Sequence, residues 1–229
     1  MWKIRQSDPG GGRAEGKYWL EKSHPKQKYN IVFLGDSRCV HGVDPAYLEK
    51  RAGLPAYNAA FFGGGLNRTI FEHMEKKLLK GSSAEVRCVV LSLSIVTLSS
   101  IGEKNEHFHQ LSERYKDKKM PKESVIKMLF KTFDIKEVKV LWGRGLSRAV
   151  CHSNGYFELR RPVRERSRRR ALRYYDGFLK SAEFPPRIMK DILSYTRKWR
   201  ENNISVLAFH IPSSPELQAM AEKVPGWDM

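Results

Sequence analysis

The chain has little cysteine, no long apolar run and a shortage of acidic residues. Its three cysteines, Cys39, Cys88 and Cys151, are odd in number and show no CxxC spacing. That gives no basis for a disulfide framework or a structural zinc site, and it is compatible with a reducing compartment. No segment reaches the roughly 18 consecutive apolar residues that a membrane-crossing helix needs. Residues 1–28 contain no apolar run of seven, so no signal peptide is read there, and the sequence as written reads as soluble. Lysine and arginine together number 42 against 25 aspartates and glutamates, a formal charge of +17. Such an excess attracts phosphate backbones, anionic lipid surfaces or acidic polymers. It is regional, concentrated in Arg160–Arg173 and in lysine runs at 76–80 and 116–122, as a solvated basic face would be.

What is present is the composition of a folding domain. With 229 residues, 41% hydrophobic and 29% charged, one sizeable core can form, whereas two domains would both be undersized. Residues 1–28 carry Pro9-Gly10-Gly11-Gly12 among polar residues, which is linker chemistry, and disorder is expected to about Gly16. Residues 29–229 are read as a single domain.

The pattern within it alternates strand and helix. Tyr29-Asn30-Ile31-Val32-Phe33-Leu34 is a buried strand stopped by Gly35. Asp44-Pro45 opens a short helix that Gly53 ends. Ala56–Ala60 reads as a second strand, followed by Phe61-Phe62, the glycines 63–65 and a helix at about 66–80. Val86–Ile95 is apolar on both faces, as a central parallel strand covered by helices must be. Residues 103–200 lack strand patterning, with helical spacing at 125–133 and 188–199, and 143–170 is Gly- and Arg-rich. This stretch is expected to be a long, mostly helical insertion. Ile204–Phe209 is a fourth strand, closed by His210-Ile211-Pro212, and a further helix starts at Pro215. The expectation is an α/β fold, a flavodoxin-like doubly wound parallel sheet with a helical insertion. In such sheets ligands bind beyond the carboxyl ends of the strands, where Ser37, Gly63–Gly65 and residues 96–100 all fall.

The run Ile31-Val32-Phe33-Leu34-Gly35-Asp36-Ser37-Arg38 resembles the first sequence block of the SGNH (GDSL-type) hydrolases. Asn58-Ala59-Ala60-Phe61-Phe62-Gly63-Gly64-Gly65 is similar to their second block. Within that superfamily the likeness is to SGNH-like domains of bacterial cell-envelope acyl transfer, extending to His210-Ile211-Pro212-Ser213-Ser214-Pro215-Glu216. It covers roughly 30–100 and 200–217. The resemblance implies that Ser37 is a nucleophile toward an acyl ester or a polysaccharide-like substrate, with an oxyanion held by backbone N–H groups of Ser37 and of Gly63 or Gly64. It also implies a cell-envelope setting, while the residues themselves point to no cofactor or metal.

The chain departs from the family in two places. The third block supplies a side-chain Asn, where this sequence has Ser92-Leu93-Ser94-Ile95-Val96-Thr97-Leu98, leaving Ser94 or Thr97 as substitutes. The Asp-x-x-His block after the fifth strand is absent, so the chain reads as a copy truncated before its last strand. His210, at the end of the fourth strand, stands as either a substitute base or a packed histidine. Ser37 itself also fits a turn residue capping a helix, and Asp36 fits a turn-stabilising side chain. His107 and His109 have chelating spacing but no third ligand, and His41 fits a loop residue. The glycines 63–65 lack a following Lys-Ser/Thr and GxGxxG spacing, so no phosphate loop is read. The tract Arg160–Arg170 leaves open a polyanion or membrane-surface contact, with nucleic acid not expected. Two other readings therefore stand beside the esterase: a non-catalytic binding or scaffold domain, and a basic surface binder.

Overall fold

A computed structural model describes residues 28–79, 84–104, 149–159 and 165–227, together with Lys22, Phe108 and His109. The expected disorder before Gly16, the helix expected at 125–133 and His107 lie outside the described residues.

The first strand, β1 (Tyr29–Leu34), runs into α1 (Ser37–Gly42) across Gly35 and Asp36. Next come α2 (Pro45–Ala52), opened by the Asp44 cap and closed by Gly53 in the left-handed region, and β2 (Ala56–Asn58). Asn67 caps α3 (Arg68–Met74), which continues as a π-helical turn over Glu75–Leu79. The strand β3 (Ala84–Leu93) ends at Ser94, whose hydroxyl caps the single turn α4 (Ile95–Leu98), and α5 (Ser100–Glu103) follows. The strands β1, β2 and β3 pair in parallel, with Val32 opposite Val89 and Phe33 opposite Asn58.

The stretch expected to be helical is mixed. It contains an antiparallel hairpin, β4 (Ala149–Cys151) and β5 (Phe157–Leu159), before α6 (Glu165–Leu179) and α7 (Pro186–Glu201). Strands of three residues leave too few alternations for a period-of-two signal, which is why the pattern gives no warning of them. Then β6 (Ser205–His210) pairs in parallel with β3, and α8 (Pro215–Ala221) follows. The molecule is thus a mixed α/β fold around a four-stranded parallel sheet in the order β2-β1-β3-β6.

Each face of the sheet buries its own cluster. On one, Val32, Leu34, Val89 and Leu91 meet Phe71 and Met74 of α3 and Ile188, Ile192 and Trp199 of α7. Glu75 accepts from the Trp199 indole at 3.1 Å and from Lys198 at 2.7 Å, so the polar atoms brought into this layer are paired. On the other face Phe33 and Phe209 pack with Cys39 and Val40 of α1, Phe61, Phe157 of the hairpin and Ile211. A third cluster, Ile95, Leu179 and Val224 with Leu217 and Trp227 against them, joins α4, α6 and α8 beyond the end of β6.

Candidate active site

The parallel register brings four loops to one edge of the sheet: those after β1, β2, β3 and β6. Asp36 is the N-cap of α1, its Oδ1 accepting from the Arg38 N–H at 2.9 Å. Ser37 is therefore the first helical residue and not the cap. It is partly exposed, and no hydrogen-bond partner for its hydroxyl occurs among the described residues. A strand that stops at a glycine and turns at once into a capped helix presents this hydroxyl at the sheet edge.

Two glycines make that turn possible by close approach. A Cβ on Gly35 would lie 2.7 Å from Ser92 Cβ and 2.9 Å from Cys39 Cβ, so nothing larger fits between β3 and α1. A Cβ on Gly64 would meet the Gly35 carbonyl oxygen at 2.7 Å. The glycine-bearing turn of the second block is therefore packed directly on the nucleophile loop, and Phe61 N–H donates to the same Gly35 carbonyl at 3.1 Å. Within this turn Gly64 donates its N–H to the Phe61 carbonyl at 2.9 Å, so that amide is already engaged. Gly63, at φ +64° and exposed, is the residue of the pair whose amide is not held in this way.

The third loop does not supply an oxyanion donor. Ser94 and Thr97 are fully buried. The Ser94 hydroxyl donates to Asp36 Oδ2 at 2.8 Å, and it accepts from the Thr97 N–H at 3.1 Å. Thr97 Oγ1 is turned back onto backbone carbonyls of Ser92 and Ser94. Both side chains fasten the loop.

Asp36 is equally committed. It is 1% exposed and takes Arg38 Nη2 at 2.9 Å and Nε at 3.3 Å on Oδ2, which also receives Ser94. Arg38 Nη1 then donates to Ser213 Oγ at 2.8 Å, bridging the loop after β1 to the loop after β6. Asp36 is a turn-stabilising and Arg-orienting group, as its place in the turn suggested.

His210 pairs through its backbone with Leu93, two strands away from β1, about 10 Å at ordinary strand spacing. It is exposed, and its ring lies 6.1 Å from that of Trp227. Gly64 thus packs on the loop that carries Ser37, while His210 shares with Arg38 the wall of a cavity beyond the ends of β3 and β6. His41, by contrast, is packed, with its ring against Phe62 and Phe157 and Nδ1 donating to the Phe157 carbonyl at 2.8 Å. Burial holds its pKa below the ordinary value. Burial also pushes the Cys39 thiol up to about 12, which makes it an inert core residue. Among the described residues no cluster of three His, Cys, Asp or Glu side chains has the spacing to hold a metal.

No family model matches the chain, and no curated protein matches it.

Three residues at the site were given no role of their own by the sequence reading. Asn58, fully buried, donates Nδ2 to the carbonyls of Cys39 at 2.8 Å and Val43 at 2.9 Å, and its Oδ1 accepts from the Ala60 N–H at 3.1 Å. Lys22, 1% exposed, donates Nζ to the Asn58 carbonyl at 2.5 Å and to Oδ1 at 3.2 Å. Arg38 is the third. A polar residue closing an apolar strand, as Asn58 closes Ala56-Tyr57, is the signal that points to a buried hub, because a buried amide must find partners.

Proposed function

We propose that the chain is an SGNH-type domain, of flavodoxin-like strand order, that acts on an acyl ester through Ser37. The observation that carries this reading is the packing of the Phe61–Gly64 turn on Gly35, which sets a glycine-flanked turn beside a serine hydroxyl left unengaged at the carboxyl edge of a parallel sheet. In that arrangement Ser37 attacks the acyl carbonyl, and the oxyanion takes the backbone N–H of Ser37 with that of Gly63. Each such donor is worth ~3–4 kcal/mol in transition-state stabilisation.

The reaction is slow in this proposal. No hydrogen bond joins Ser37 to a base among the described residues, and a serine without a base retains only the catalysis that binding and an oxyanion hole supply, ~10³–10⁴-fold over water. The test is fluorophosphonate labelling of the full chain with mass-spectrometric site mapping, beside Ser37→Ala. Modification confined to Ser37 is expected, at a rate far below that of a triad hydrolase. Folded protein that remains unlabelled after prolonged exposure removes the esterase reading.

A second reading, a binding domain that keeps the fold without the reaction, is favoured by one observation. Asp36 and Ser94 are spent on fixing Arg38, and Arg38 points the polar groups of this edge toward the β6 side and not toward Ser37.

A further inference from the structure

Beyond the ends of β3 and β6 lies a cavity of about 380 Å³ that the Ser37 chemistry does not use, since Ser37 is not in its wall. That volume falls in the range of ~300–1,000 Å³ typical of small-molecule sites, which combine apolar walls with a few placed polar groups. The wall here has that make-up. Leu93, Ile95, Leu179, Leu217 and Trp227 are among its apolar walls, and Arg38, Ser213 and His210 are among its polar groups.

Arg38 is the placed group. Its side chain is only 19% exposed, and its orientation is fixed from both ends by Asp36 and Ser213. A guanidinium has five N–H donors. Three are engaged here, through Nε, one on Nη2 and one on Nη1. One donor remains on each terminal nitrogen, the number a carboxylate takes in a forked pair. Guanidinium is weakly hydrated for a cation, and although the Asp36 carboxylate already balances its charge, the two donors left over remain to be satisfied by a second acceptor. The one acidic side chain in the wall among the described residues, Glu222, is exposed, and it accepts from Gln218 at 3.2 Å, on its own helix-end surface.

We propose that this cavity binds a medium-chain carboxylate, with the carboxylate on the two remaining Arg38 donors and the alkyl chain against Leu179, Leu217 and Trp227. The site stands apart from the esterase reading. It needs Arg38 and the apolar wall but not Ser37, so Ser37→Ala binds as the unaltered chain does.

The experiment is calorimetric titration of the full chain with decanoate, decanol and acetate. Saturable one-to-one binding of decanoate is expected, with decanol and acetate each at least tenfold weaker. Arg38→Gln should weaken decanoate tenfold or more and leave decanol unchanged. Ala221→Trp, which fills the cavity from α8 and leaves the Asp36–Arg38 contact in place, should abolish decanoate binding, and it decides the matter if Arg38→Gln does not fold. Absence of decanoate binding to the unaltered chain, decanol binding as tightly as decanoate, or unchanged affinity in Ala221→Trp would each overturn the proposal.

Discussion

The two halves of the sheet edge are built to different standards of closure. Around β1 and β2 the polar side chains of the turn are held, Asn58 by four partners and Ser94 by Asp36, and Gly35 sits where a Cβ would meet two others at contact distance. Around β6 the surface is open. Leu207 is 59% exposed, His210 is exposed, and the strand has β3 as its one partner among the described residues. One half of the edge is thus closed and the other accessible from the β6 side. Arg38 is the tie between them, anchored in the closed half and reaching Ser213 in the open one.

The contrast breaks most visibly at Asn58. Replacing it with Ala strands the Cys39 and Val43 carbonyls and the Ala60 N–H, and it takes one acceptor from the buried Lys22 ammonium. At ~1–3 kcal/mol for a buried group left without its partner, with some relaxation, the expected loss is ~3 kcal/mol. Urea denaturation followed by circular dichroism measures it. A loss below ~1 kcal/mol would mean that water reaches these groups and the closed half is not closed.

The closed half was also the half more legible in the sequence, and for a physical reason. Buried parallel strands must be apolar on both faces, and so β1 and β3 announce themselves; turns of fixed geometry need particular residues, and so Asp44-Pro45, Gly53 and the glycines 63–65 mark theirs. The hairpin of β4 and β5 was hidden because its strands are three residues long and owe their position to contacts with α1 and Asn58, such as Asn58 N–H on the Asn154 carbonyl. The partners of Ser94 were hidden for a related reason. A serine at a strand end is equally suited to donate to a substrate or to cap a helix, and the register that sets it 2.8 Å from Asp36 is a property of the folded sheet. His210 lies on the expected edge of the sheet, two strands of spacing from β1.

A smaller effect, still on the closed side, is carried by pH. Burial is the largest cause holding the His41 pKa below its ordinary value, and the Phe157 carbonyl opposes it in part. The unfolded chain therefore binds a proton, from about pH 6.5 downward, that the folded chain refuses, and stability falls through that window until the folded value is reached. The urea midpoint should accordingly drop between pH 7.5 and pH 5. His41→Gln, which keeps a donor for Phe157, should drop less over the same interval. Equal drops would show that water reaches His41 in solution.

The smallest effect belongs to the open half, and its smallness is the point. Leu207 stands on β6 with its side chain mostly in solvent, and Thr suits a half-exposed strand at least as well. Leu207→Thr should therefore change stability by no more than ~0.5 kcal/mol, the ordinary range for a surface site. A buried leucine would respond quite differently, because its side chain contributes ~1.5–3 kcal/mol through removal from water. A loss of that size would place Leu207 under cover in solution and make the β6 side as closed as the β1 side. The cavity at Arg38 would then have to be entered by a route that crosses whatever lies over β6.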